Sequence, residues 1–136
     1  MREYTPDNIT ELKENEIFVF GSNSDGFHGK GAALIAVEKF GAKYGQASGL
    51  QGQSYAIVTK KDWRFKSSTI DEIRIEIIAF LYFAHKNPNL IFFVTKIGSG
   101  LGGYNVEEIK NIFMKFKGIG EIPDNVILPR EYEVRD

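Results

Sequence analysis

Four apolar runs of strand length alternate along the chain with three stretches of helical periodicity. Ile17-Phe-Val-Phe20 is apolar at every position and stops at Gly21, the pattern of a strand covered on both faces. A polar loop with Gly26, Gly29 and Gly31 follows. Ala32 to Val37 then takes up helix-forming composition, which predicts a helix from Gly31 to Phe40 closed by Gly41. Residues 41–53, rich in Gly, Gln and Ser, read as an irregular connection, and Tyr55 to Thr59 as the second strand. Thr69 and Glu72 fit a capping box opening a helix in which Ile70, Ile73, Ile77, Phe80, Leu81 and Ala84 recur at helical spacing. That helix stops near Asn87-Pro88. Leu90 to Ile97, the most hydrophobic segment, is the third strand. A helix from Asn105 carries Glu107 and Glu108 in its first turn, a stripe of Val106, Ile109, Ile112, Phe113 and Phe116, and Lys115 and Lys117 at its close. Asn125 to Pro129 is a short fourth strand. Ahead of all this, residues 1–16 are polar, with a turn at Pro6-Asp7-Asn8 and anchors at Ile9 and Leu12.

This order of elements implies one domain over residues 1–136, a three-layer α/β/α fold around a mostly parallel, mixed sheet. Ligands of such sheets bind beyond the carboxyl ends of the strands. The first strand ends at one glycine loop, the second at Lys60-Lys61, and the third at another glycine loop, Gly98-Ser-Gly-Leu-Gly-Gly103. All three unusual segments should therefore meet at one edge.

Composition narrows the chemistry. With 17 Lys+Arg against 18 Asp+Glu, the net charge of −1 argues against broad binding to duplex nucleic acid. The absence of cysteine excludes a disulfide framework, a thiolate zinc site and a cysteine nucleophile. Two distant histidines give no metal cluster, and neither a metal nor another cofactor is expected. No apolar leader or run of membrane-spanning length is present, so the expectation is a cytoplasmic chain without a membrane partner.

Strand, glycine-rich loop and helix start together make a cradle for an anion. Glycines admit close backbone approach, and the first helical turn presents unpaired N–H groups at the positive end of the dipole. Gly98, Gly100 and Gly103 also satisfy G-x-G-x-x-G, but they precede the last helix rather than the first, against a dinucleotide-binding fold. Asn23 and Asp25 stand where they could meet a ribose or a reacting bond, with turn-forming as the alternative. His28 is read either as a general base or phosphate contact, or as a loop histidine without a task. Lys60 and Lys61 could offset a diphosphate, and Ser22, Ser24 and Ser99 read as phosphate-loop hydroxyls. Tyr104 could cover a ribose or base. For Trp63 and Phe65 packing is the favoured role, and for His85 a place at a helix C-terminus.

Val19-Phe-Gly-Ser-Asn23 with Gly29-Lys-Gly-Ala-Ala33, and Thr95-Lys-Ile-Gly-Ser-Gly-Leu-Gly-Gly-Tyr104, resemble the two ligand loops of the macro domain superfamily. The resemblance implies an ADP-ribose pocket. Gly21, Ser22, Asn23, Gly29, Lys30, Gly31 and Ala32 would line one wall, with Asn23 at the distal ribose. Gly98, Ser99, Gly100, Leu101, Gly102, Gly103 and Tyr104 would line the other. Tyr55-Ala-Ile-Val-Thr-Lys-Lys61 further resembles the branch that removes terminal ADP-ribose from proteins with a lysine and an aspartate. There the lysine falls on Lys60 or Lys61, and the aspartate position is held by Gly102, which has no side chain. The resemblance thus leaves open hydrolysis of an ADP-ribosyl conjugate or ADP-ribose phosphate, with Asn23, Asp25, His28 and Lys60 as catalytic candidates. The alternative is a non-catalytic reader or interaction module. It does not fix the oligomeric state.

Overall fold

A computed structural model describes residues 4–29, 31–61, 68–97 and 104–132. The first strand, β1 (Glu16–Asn23), lies inside a five-stranded sheet because its side chains are apolar in both directions. Alternate residues of a strand point to opposite faces. Ile17 and Val19 accordingly enter one core, and Phe18 and Phe20 the other. Helix α1 (Gly31–Lys39) covers Phe18 and Phe20 through Ala36, and Phe40, Ala42, Ile9 and Leu12 complete that layer. The chain continues through β2 (Gly49–Gln51), β3 (Ser54–Lys60), α2 (Ile70–Lys86), β4 (Ile91–Val94), α3 (Val106–Gly118) and β5 (Val126–Ile127). The buried stripes of α2 and α3 pack on Ile17, Val19, Tyr55, Ile57, Phe92 and Val94, so helices cover both faces. Strand order is β2-β3-β1-β4-β5, and every pairing is parallel except the β2–β3 hairpin. This is the α/β/α architecture with a mostly parallel, mixed sheet that the sequence predicts.

Several boundaries differ from expectation: β3 gains Ser54 and Lys60, and β5 keeps only Val126 and Ile127 of the expected Asn125 to Pro129. β1 runs through Gly21 to Asn23, because ladder partners Ile57, Val58 and Lys60 on β3 carry the backbone past the glycine. β4 spans only Ile91–Val94. Thr95 leaves the ladder, and its N–H and Oγ1 both donate to the Val19 carbonyl, at 3.2 and 2.7 Å. The segment 41–53, expected to be irregular, contains β2, whose Gly49, Leu50 and Gln51 pair antiparallel with Ala56, Tyr55 and Ser54. A three-residue strand offers too short an alternation to be read from its residues alone.

The helix ends are set locally. The Thr69 hydroxyl accepts from Glu72 N–H at 3.1 Å, and Glu72 accepts from Thr69 N–H at 2.8 Å, closing the predicted capping box. The Thr69 N–H first, and the Thr69 hydroxyl after it, hold the Glu72 carboxyl below its usual range. Asn105 and Glu108 close an equivalent box on α3. Beyond α2, the Asn125 amide donates towards the carbonyls of Ala84, Asn87 and Leu90 at 3.0, 3.1 and 3.0 Å. One side chain thus ties the end of α2 to the approach to β4. Asn125→Ala removes the amide that all three share. Ala84 and Asn87 keep backbone donors, the N–H groups of Asn87 and Leu90, so urea titration should show a loss of about 1 kcal/mol, chiefly from the Leu90 carbonyl.

Each side of the sheet is blocked at particular positions. Thr5 donates its N–H to the Leu128 carbonyl and its hydroxyl to the Ile127 carbonyl, each at 3.0 Å, along β5. On the other edge β2 reaches only as far as Ala56, and Glu76 of α2 accepts from the next outward amide, Val58 N–H, at 3.0 Å. Glu76 also accepts from Ser48 Oγ at 3.1 Å. Burial, and secondarily this carboxylate, pushes the Tyr55 phenol up to about 12. Among the described residues no helix is long and apolar enough to cross a membrane.

Candidate functional site

The parallel strands β3, β1 and β4 end on one edge in that spatial order. The chain leaving β1 passes to α1 on one face, and the chain leaving β4 passes to α3 on the other. Adjacent strands whose connections part to opposite faces leave a crevice between their carboxyl ends. The described stems of the sequence-predicted segments meet at this edge. Lys60 stands opposite Asn23 in the ladder, and Thr95 is bonded back to β1.

The exit of β1 is tightly organised. Asn23, nearly buried, uses its amide twice: Nδ2 donates to the Phe27 carbonyl at 2.8 Å, and Oδ1 accepts from Phe27 N–H at 3.0 Å. Gly26 N–H donates to the Asn23 carbonyl at 3.0 Å, closing a turn in which Ser24 and Asp25 are exposed. Gly26 has φ +68°, and its missing Cβ would stand 2.6 Å from the backbone of Gly45. Only glycine lets the turn lie against that neighbour, to which Gly26 is joined by a 2.9 Å bond from Gly45 N–H. Ser22 is buried, its hydroxyl donating to the Ala47 carbonyl. Gly21 belongs to the strand, Gly29 lies under the Phe27 ring, and Ala32 packs on the α1-side core. Gly31 opens α1 at φ +58°, exposed, with nothing within 4 Å of where its Cβ would be.

His28 is completely buried. Its Nε2 lies 3.1 Å from the Gln46 carbonyl and 3.2 Å from Gln51 Oε1. Gln51 Oε1 also accepts from Lys43 N–H at 2.8 Å, and both groups facing Nε2 are acceptors, which puts the ring proton on Nε2. Nδ1 is buried and has no hydrogen-bond partner among the described residues. The ring stands edge-on to Phe20 and is flanked by Tyr44, with centroids 5.2 and 6.0 Å away. It anchors the glycine loop to residues 42–51, and its burial rules out the surface loop histidine that was one reading from sequence. Gln51, 2% exposed, is the hub of this platform. Nothing in its Gly- and Gln-rich surroundings singles it out in the sequence.

On the far side, Lys61 pairs with Glu72 at 3.5 Å, both partly exposed, while half-buried Lys60 has no ion-pair partner among the described residues. The Lys60 carbonyl accepts from Ser24 N–H at 3.0 Å. Tyr104 is half-buried and its hydroxyl donates to the Ser68 carbonyl, while Ser68 N–H donates to the Thr59 carbonyl at 3.0 Å. The chain thus departs at Ile97, beside β4, and returns at Tyr104, tied to the exit of β3. Lys30, Trp63, Phe65, Gly98, Ser99, Gly100, Leu101, Gly102 and Gly103 lie outside the described residues.

No protein-family model matches the chain, and no curated protein matches it in sequence. Solved structures do. The macrodomain of Mycobacterium tuberculosis DarG aligns with a TM-score of 0.64 at 20% identity, over 95% of this chain and 97% of that one. A protein of unknown function from Bacteroides thetaiotaomicron aligns at 0.60 and 16% identity, over 88% and 90%. At such identities the likeness concerns the path of the backbone, and by that measure the chain has the macrodomain fold.

Proposed function

We propose that the chain binds ADP-ribose, or a related nucleotide diphosphate derivative, in the crevice between the ends of β1 and β4. The observation that carries this reading is the placement of the loop stems. The first glycine loop leaves β1, and the stems of the second, Ile97 and Tyr104, lie on either side of that exit, towards β4 and β3. In this proposal the first-turn amides of α1 and the amides from Ser99 to Gly103 hold the diphosphate. The open space at Gly31 supports the first of these. Asn23 keeps one N–H and one oxygen lone pair beyond those used by Phe27, enough to hold a ribose hydroxyl. Lys60 supplies positive charge from the neighbouring strand.

The proposal is binding, without lysine–aspartate hydrolysis, since Gly102 offers no carboxylate. Calorimetry with ADP-ribose should give saturable binding at one site. Gly100→Glu should abolish it by setting a carboxylate among phosphate-binding amides. Absence of binding at millimolar ligand overturns the proposal. Release of ADP-ribose from a modified protein would replace the reader with a hydrolase.

A further inference from the structure

The solvent face of α2 is apolar where a helix surface is ordinarily polar. Ile75, Ile78 and Tyr82 are 65%, 45% and 61% exposed, and Ala79 is exposed beside them. Helical spacing puts all four on one stripe, with Asp71 at its N-terminal end and His85 and Lys86 at its C-terminal end. The stripe is symmetric about the point between Ile78 and Ala79. Asp71 and Lys86 are equidistant from it, as are Glu72 and His85, and Ile75 and Tyr82.

We propose that this face is the interface of a homodimer, α2 packing antiparallel on α2 of a second copy about a two-fold axis through that midpoint. An isologous contact needs a self-complementary patch, and this stripe is one. Antiparallel pairing sets Asp71 against the partner's Lys86 and Ile75 against the partner's Tyr82, each twice. A parallel pairing would set like charge on like charge. Both terminal charges lie at the surface: Asp71 is ion-paired with Arg74 but its side chain is 83% exposed, and Lys86 lies over the Tyr82 ring at 5.3 Å. Alongside, a groove of about 390 Å³ lined by Ile78, Leu81, Tyr82, His85, Phe116 and Pro123 extends the apolar surface towards α3. The partner's Ile75, opposite Tyr82, is placed to enter it.

A single helix pair is small for an interface, which puts association in the micromolar range. Sedimentation of the full chain from ~5 to ~500 μM should therefore show monomer giving way to dimer. Ile78→Glu, at a solvent-facing position, should hold the protein monomeric throughout with unchanged circular dichroism; Ile75→Glu serves as the second variant. Asp71→Lys and Lys86→Asp should each weaken the dimer about fivefold, because symmetry makes each change count twice. Combined, they should restore it. A monomer at every concentration would overturn the proposal and leave the face to a different protein. A dimer indifferent to Ile78→Glu, or no rescue by the double charge exchange, would overturn it equally.

Discussion

Phe80→Ala is expected to remove about 4 kcal/mol of folding stability, measured by urea titration. The ring has no exposed surface and sits on the sheet-facing side of α2. It meets Tyr55 of β3 with centroids 5.1 Å apart and stands edge-on to Phe92 of β4 at 5.4 Å. Since β3 and β4 flank β1, this one side chain joins α2 to the strands on both sides of it. Truncation removes the transfer free energy of the ring and leaves a void between a helix and a sheet that are each stiff, so little of the loss is recovered by collapse. Domains of this kind have some 5–15 kcal/mol in total, so the variant should populate unfolded chains on mild warming. A loss below about 1.5 kcal/mol would mean that α2 does not pack on the sheet as described.

Gly26→Ala is expected to cost about 3 kcal/mol and to abolish ADP-ribose binding with it. Two effects add. A side chain at φ +68° is strained, and its Cβ would fall 2.6–2.8 Å from backbone atoms of Gly45 and Gln46 that have no rotamer with which to move aside. Gly45→Ala separates them. Its φ is +89°, but nothing lies within 4 Å of the added atom, so it should lose only about 1 kcal/mol, the strain alone. Equal losses at the two positions would show that the turn at Gly26 is not docked on its neighbour. Retained ligand affinity in a folded Gly26→Ala protein would detach that docking from the proposed function.

The helices were legible because their signals are local. Thr69 with Glu72, and the recurrence of Ile73, Ile77, Phe80 and Ala84, need no knowledge of the rest of the chain. β1 was legible as a strand buried on both sides for the same reason: Ile17, Phe18, Val19 and Phe20 leave no polar face to expose. Its extent was not. Gly21 reads as a stop, yet hydrogen-bonded neighbours override a weak propensity and carry the strand two residues further. β2 was illegible because three residues carry too short an alternation, and Gln51 because its role is defined by its partners, His28 and Lys43 among them. His28 belongs with them: its imidazole suggested chemistry at the surface, and only the fold reveals that Phe20, Tyr44 and Gln51 enclose it.

The carboxylate of Glu76 has a consequence at the scale of many molecules. A strand from another chain could join β3 only by donating and accepting in alternation along its bare half, and would first have to displace an ion already bonded to Val58. Glu76 faces the sheet, away from the stripe proposed for dimerisation, so two chains can associate through α2 while their strands stay closed to each other. Fibril-like stacking is thereby obstructed at its first step by a residue that, in the sequence, looks like ordinary surface charge.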